Sequence, residues 1–593
     1  MLNFKLFYLR NQINSLLKTP MLYALLINIL IRIPYFPHAQ GSDAFVVAWM
    51  AQAIKEGFIE AWIIHPLSIF GLYPYSFYPI GGPFILSLIF RMGFDIDDAL
   101  FLFSFLFMMI SLITTYYLGK LIFSNEKLSI FFFVVFYTTS PIFLRYTYWT
   151  ATVRGPFMAI LPLTLFFLLK ITKEFNLRNI IGLFVSIVIL AFMHRLIILY
   201  PIYIISLFLA IILFKMNFLS KKYLPVYLIS YFCAFIFGIL VFPINPRITA
   251  EFILNNDSII GVAWNLMIDY ALKFGIISLF SVWGFINQFF INESDKNEAI
   301  IRKFFLILGL FLIFISPISI YTSIILLPWI GYYAILGLKS ILALQLGWIK
   351  YLIGILPSFF GLFYFLIVAD LPIHLISAII LALGSLIIII IKQRKISEVK
   401  NDFFLILCIA IIIFSKTSTD GLIISSNFPF NYISDDEFII AKYLEKYNSK
   451  QEIIAVYHSL VARRIQAIGS QPVISPKNYA ANLYFGWISA EEIHEKTIFD
   501  ISQVLKLGVG IPFITNRTIP ENDMFYYASR SDLRDIRGLE RVYALGIRYV
   551  VISNLIFEEL NPNLLLFTSV LEMGVLRAET RYLKLYEIPE IHV

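Results

Sequence analysis

YPIGGPFILSLIFRM, residues Tyr78 to Met92, decides how this chain is threaded. As a second span the stretch is short, and it opens on Pro and Gly-Gly-Pro, which begin or break helices instead of sitting inside them. Charge separates the two threadings. If the segment does not cross, the loops carrying Lys120 and Lys127, Lys170 to Arg178, Lys215 to Lys222, Lys296 to Lys303, Lys339 to Lys350 and Lys392 to Lys400 all share the side of the basic N-terminus. If it crosses, they all move to the opposite side, against the preference of Lys and Arg for the cytoplasm. Tyr78 to Met92 is therefore expected to be a half-inserted helix within one long external loop, residues 36–97. An odd number of spans then puts the C-terminal region outside as well.

The composition fits such a chain. Of 593 residues, 60% are hydrophobic, 17% aromatic and only 14% charged, and the mean hydropathy is +0.82; soluble domains are far less apolar and more charged. A span needs roughly 20 apolar residues, and the sequence offers about thirteen such stretches before Ser415. The expected fold class is thus a polytopic α-helical membrane protein, multipass over 1–415. In 416–593 charges, Asn, Gly and Pro return, and strand-like runs (EIIAVY, IRYVVIS, YLKLYEI) alternate with helical ones (SDDEFIIAKYLEKY, DISQVLKLG), which reads as an extracytoplasmic α/β domain. The opening MLNFKLFYLRNQINSLLKTP lacks a small-residue cleavage site and is expected to be a retained, cytoplasmic-side anchor of a multipass cell-membrane protein. The net charge of +8 comes from short basic clusters between apolar runs, which report orientation and exclude a nucleic-acid partner. Cys233 and Cys408 lie in apolar runs, so neither a disulfide framework nor a cysteine metal site is expected.

The external side collects the unusual residues. In GSDAFVVAWMAQAIKEGF, Asp43 follows a Gly-Ser turn signal, and Phe45, Ala48, Trp49, Ala53 and Ile54 would share one face of a helix lying in the interface. Asp43 either caps that helix or presents a carboxylate at the membrane boundary as a general base or metal ligand. RYTYWTATVRG places Arg145 and Arg154 around Tyr146, Tyr148 and Trp149. Such a belt can anchor a span end, or its guanidinium forks can hold a lipid-linked phosphate. His194 and Arg195 lie near the external end of another span, where a charge faces an interior or snorkels. Arg247 is a weaker candidate of the same kind. His38, His65, Glu56 and Glu60 share the first loop without metal-motif spacing and read mainly as solvated loop residues. Asp97 and Asp98 open the next span, where helix capping favours them over a metal cluster with Asp95. No phosphate-cradling glycine loop, nucleophile elbow or zinc signature is present.

This order of parts resembles the GT-C class of membrane glycosyltransferases, which includes oligosaccharyltransferase catalytic subunits, protein O-mannosyltransferases and lipid A aminoarabinose transferases. GSDAF stands where that class carries its first-loop acidic motif; YPIGGPFILSLI looks like the Tyr-Pro-Gly stretch late in the same loop; SPIFLRYTYWTATVRGPFMAI occupies the place of the second external motif. The resemblance implies a divergent archaeal or bacterial member, a GT-C-like fold and a catalytic role for Asp43. It also implies a polyisoprenyl-phosphate-linked sugar as donor, with membrane lipid and an acceptor glycan, lipid or protein as the other partners. There are departures. The second motif ends in Thr152-Val153-Arg154 where acids would complete a divalent metal site, and the tail lacks the Trp-Trp-Asp signature of sequon recognition.

The chemistry expected on this basis is sugar transfer with Asp43 as general base and Arg154, Arg145, Arg195 and His194 at the donor phosphate. Tyr148, Trp149, Arg247 and His65 are candidate donor or acceptor contacts. No metal ligand set is identified; a divalent cation, Mg or Mn, would need the second acidic motif that is not found. Two rivals are a non-enzymatic membrane scaffold of the same architecture and a transporter or flippase for a lipid-linked glycan. The flippase would need polar residues through the bilayer midplane, and the spans are nearly all Ile, Leu, Phe and Val there.

Overall fold

The computed structural model describes residues 20–33, 38–40, 42–55, 81–124, 126–148, 152–213, 223–241, 274, 276–288, 296–315, 322–343, 435–448, 452–457, 459–474, 528–553 and 564–590. The first helices are α1 (Pro20–Ile31), α2 (Ser42–Lys55), α3 (Gly81–Arg91), α4 (Ile96–Ile122), α5 (Lys127–Thr139), α6 (Pro141–Thr147), α7 (Arg154–Lys173) and α8 (Leu177–Met193). After a 3-10 turn, Arg195–Leu199, follow α9 (Pro201–Leu213), α10 (Tyr223–Val241), α11 (Ile276–Asn287), α12 (Lys296–Ile315) and α13 (Thr322–Ala343). Among the described residues, α4, α7 and Ser323–Ser340 within α13 are long and apolar enough to cross a membrane. The pair α5 and α6, bent by 56° at Ser140, makes a fourth if counted as one broken span. The remaining expected spans fall on shorter apolar helices or outside the described residues.

Helix α3 covers the decisive stretch, and its 11 residues reach about 16 Å at 1.5 Å per residue, half of the hydrocarbon thickness. Pro83 sits in its first turn, where a missing N–H costs nothing. Asp95, not Asp97 or Asp98, caps α4: its carboxylate accepts the Asp98 N–H at 2.8 Å. Asp97 is thereby left to point elsewhere.

Helix α2 is not the interfacial amphipathic helix its pattern suggests. Ala44 through Ala51 are all buried, as is Ile54; α3 packs along it, and so does a helix from the C-terminal region. A helix apolar on all sides must be enclosed on all sides.

The C-terminal region begins with α14 (Asp435–Tyr447), then β1 (Ile453–Val456), α15 (Ser459–Gly469) and β2 (Val473–Ile474), and continues with α16 (Ile536–Ala544), β3 (Ile547–Ser553), α17 (Leu565–Met573), β4 (Val575–Glu579) and β5 (Leu583–Glu587). The three strand-like runs of the sequence are β1, β3 and β5; the helical run DISQVLKLG lies outside the described residues. The sheet order is β2-β1-β3-β5-β4, parallel from β2 to β3 and antiparallel from β3 to β4. Side chains alternate across it with the period of two that a pleated strand imposes. Val550 and Ile552 face one core with Val542, Phe567 and Val570, while Tyr549 and Val551 face the other with Ile440, Ala441 and Ile465. This second core runs without interruption into that of the membrane helices, because α15 lies on α2.

A buried ion pair joins the two helices of that face. Arg464 Nη1 on α15 donates to Glu437 Oε1 on α14 at 2.7 Å, with side chains 3% and 0% exposed. Burial pulls the Arg464 pKa down, and Glu437 opposes the shift. Removing one partner strands the other's charge in an apolar setting, so Arg464→Met should lower unfolding free energy by about 3–5 kcal/mol, and Glu437→Leu added to it should recover most of that loss. Melting temperatures of the single and double variants in one detergent check both outcomes.

Candidate active site

Ser140 and Pro141 break a span, and the break builds the site. Pro141 cannot donate to the preceding turn, and Ser140 caps the new helix through its hydroxyl, which accepts the Phe143 N–H. Thr138 and Thr139 hydroxyls donate to the Val134 and Val135 carbonyls at 2.8 Å each. Polar groups at membrane depth are thus satisfied inside the segment, as lipid requires.

The short α6 carries Arg145 and Tyr146, and α7 starts at Arg154. Their guanidinium carbons lie 5.9 and 5.1 Å from the centroid of the Tyr146 ring, within reach of its π face. The two helices meet closely because Gly155 has no side chain: a Cβ there would strike the Tyr146 carbonyl oxygen. Helix α3 wedges in from another direction. A Cβ at Gly81 would lie 2.7 Å from the Phe192 carbonyl oxygen, and one at Gly82 2.9 Å from Val153 Cγ1. The starts of α3 and α7 therefore abut, each with the partial positive charge of a helix N-terminus, while the Arg154 and Gly155 N–H groups are already accepted by Thr152. Two arginines on one ring beside two helix starts make a cationic corner, whose guanidinium forks suit a phosphate.

His194 lies two residues beyond Phe192, whose carbonyl borders Gly81 of α3. It is 2% exposed, ends α8, and accepts the Leu196 N–H at Nδ1 (3.0 Å), an arrangement that places its ring proton on Nε2. Its ring packs edge-on against Phe157, 5.9 Å away and one turn along α7 from Arg154. Tyr148 is buried, and its hydroxyl donates to the Ile33 carbonyl at 3.1 Å, tying α6 to the end of α1 instead of facing an opening.

Asp43 is the second residue of α2, a position where an acid complements the helix dipole. The chain entering α2 is pinned by Asp97, whose Oδ2 bonds His38 Nδ1 and whose Oδ1 accepts the Ala39 N–H, both at 2.8 Å. His38 Nε2 reaches Asp435 Oδ1 of α14 at 2.9 Å, and its ring stacks on Phe438 at 3.7 Å. Burial acts to lower the His38 pKa, but the hydrogen bond to Asp97 and the charges of Asp97 and Asp435 outweigh it, and the ring titrates above its ordinary value.

The structure thus brings Arg145 and Arg154 together on the Tyr146 ring and places His194 against Phe157. The backbones of Asp43 and Arg195 are described but their side chains are not, and Trp149, Arg247 and His65 lie outside the described residues. Two residues carry more than their sequence context suggests. His38 is a bonded hub, not a solvated loop residue. Arg32, unremarked at the end of the first apolar run, is buried with Nη1 on Asn28 Oδ1 (2.5 Å) and Nη2 on the Thr138 carbonyl (3.0 Å) and Thr147 Oγ1 (2.9 Å). It ties α1 to α5 and α6, and a charge within NILIRIPYF is the signal that marks it. Among the described residues no group of three or more His, Cys, Asp or Glu is arranged to hold a metal ion.

No family model matches the chain, and no curated protein matches it by sequence. Solved structures do resemble it. ArnT from Cupriavidus metallidurans bound to undecaprenyl phosphate is similar at a TM-score of 0.57 and 10% identity, over 97% of each chain. The apo oligosaccharyltransferase of Archaeoglobus fulgidus is similar at a TM-score of 0.52 and 13% identity, over 91% of this chain and 69% of that one. The chain has a GT-C-like fold of multipass membrane type.

Because the α6–α7 approach leaves no room at residue 155, Gly155→Ala should force the helices apart at a cost of about 1–3 kcal/mol and move Arg154 off the Tyr146 ring. A melting temperature lower than the parent's is the expected outcome.

Proposed function

We propose that this chain is an integral-membrane glycosyltransferase that moves a sugar from a polyisoprenyl-phosphate donor to an acceptor on the extracytoplasmic face. The observation that carries the reading is the cationic corner: Arg145 and Arg154 on the Tyr146 ring, where the starts of α3 and α7 abut. ArnT, whose fold is similar, was solved with undecaprenyl phosphate, and a phosphate on a lipid tail is the ligand such a corner at membrane depth would suit.

In this mechanism the acceptor hydroxyl oxygen attacks the anomeric carbon, and the bond from that carbon to the phosphate oxygen breaks. The bonding pair leaves with the phosphate. Asp43 takes the hydroxyl proton as general base, while Arg154 and Arg145 stabilise the charge growing on the leaving phosphate, the kind of electrostatic support that commonly dominates catalysis. Attack opposite the leaving group inverts the anomeric centre. Arg195, and the Nε2–H of His194, would add donors at the phosphate side. No step is routed through a metal.

Undecaprenyl phosphate binding to the protein in lipid nanodiscs tests the phosphate site. Arg154→Ala should weaken it about 10- to 100-fold, the worth of a charged hydrogen bond, and Arg154→Lys should recover part of that. Binding equal to the parent's in Arg154→Ala would overturn the assignment. With a panel of polyprenyl-phosphate sugars, Asp43→Asn should bind donor as the parent does yet transfer at least about 100-fold more slowly; unchanged cellular activity in that variant would favour a scaffold instead.

A further inference from the structure

The imidazole of His38 is held at both ends. Nδ1 meets Asp97 Oδ2 at 2.8 Å and Nε2 meets Asp435 Oδ1 at 2.9 Å. A neutral imidazole has one N–H, so only the protonated ring can donate to both carboxylates at once. We infer that His38 is a positioning residue that, while protonated, clasps α14 to the head of the Asp43 helix and releases it on losing its proton.

Three elements meet at this ring. Asp97 comes from the start of α4 and uses its other oxygen to hold the Ala39 N–H, so the segment entering α2 is fixed at two neighbouring points. Asp435 comes from the first turn of α14, and Phe438, one turn on, stacks on the ring with planes 11° apart. Phe438 also meets Phe45 of α2 edge-on at 6.5 Å. Loosening the clasp therefore frees a ring that touches the first turn of the Asp43 helix. The other charged groups on these elements are already engaged or differently placed. Asp95 caps α4, Glu437 is bridged to Arg464, Asp436 is buried beside it, Asp98 follows in α4, and Asp43 follows on the ring's own segment. Once the ring is neutral, Asp97 and Asp435 face each other across it with one N–H between them, and the contact turns repulsive.

The direction in pH follows. Burial opposes protonation, but Asp97 and Asp435 raise the His38 pKa above its ordinary value. The docked arrangement is fully favoured below the pKa of free histidine and loses that support as pH rises through the raised value. Docking is tightest in mildly acidic to neutral conditions and weakest in alkali. Its consequence for transfer rests on the general-base reading of Asp43; the clasp itself does not.

Hydrogen–deuterium exchange on the full chain in lipid nanodiscs tests it without substrate. After correction for intrinsic exchange rates, amides of 38–55 and 435–447 should lose protection as pH rises, with a midpoint above the ordinary histidine value. His38→Gln should make both segments pH-independent while strands β3 and β5 stay protected as in the parent, and Asp435→Asn, which keeps the Asp97 bond, should shift the midpoint down. Flat protection in the parent, or the parent's pH dependence persisting in His38→Gln, would sink the proposal. If His38→Gln fails to fold, an unmoved midpoint in Asp435→Asn does the same. A chain that binds no polyprenyl phosphate but shows this exchange pattern overturns the transferase reading alone.

Discussion

The backbone of α7 lies against the backbone of α6 because residue 155 carries no side chain, and the rest of the site depends on that contact. The approach sets the first residue of α7, Arg154, over the ring of Tyr146, to which Arg145 is already adjacent. It also leaves Val153 in place to receive Gly82, so the start of a third helix, α3, joins the corner. None of this would be tolerated in lipid if the broken span left backbone groups bare. The Thr138, Thr139 and Ser140 hydroxyls bonded back into their own turn, and Arg32 on the Thr138 carbonyl, keep the break satisfied.

A second constraint is enclosure. Helix α2 has α3 along it and α15 on it, and its residues from Ala44 to Ala51 are all buried. The Phe45, Val46, Val47 and Met50 side chains each contribute about 1.5–3 kcal/mol when removed from water, so the C-terminal region and the membrane helices hold one another through α2. The polar fastening at the edge of this interface, Asp97–His38–Asp435, adds direction where apolar burial supplies strength. An apolar contact can slide, whereas two carboxylates on one imidazole fix where α14 sits.

Particular residues show how far sequence pattern reaches. The start of α3 at Gly81 was legible from Pro and Gly-Gly-Pro, because a helix start is written locally. Strands β1, β3 and β5 were legible as apolar runs between turn residues. Asp97 and Asp98 do open α4 as its first-turn acids, but the capping oxygen is supplied by Asp95. The pairing of Arg145 with Arg154 could be suspected from their flanking of one aromatic cluster. His38 and Arg32 could not be ranked, since a histidine in a loop and an arginine at a span end are each common and usually bland.

What the sequence by itself determined is what depends on composition and on near neighbours. Hydropathy makes this a multipass membrane chain, turn residues punctuate it, and basic clusters bear on its orientation. What only the tertiary structure decided is which distant groups share a bond. Arg32 and Thr138 lie 106 residues apart, Tyr148 and Ile33 lie 115 apart, and His38 meets an acid of the C-terminal region that no local pattern marks as its partner. Hydrophobic periodicity is additive along a chain and survives in one dimension. A hydrogen bond depends on direction within a few tenths of an ångström, and that geometry exists only after the helices have packed.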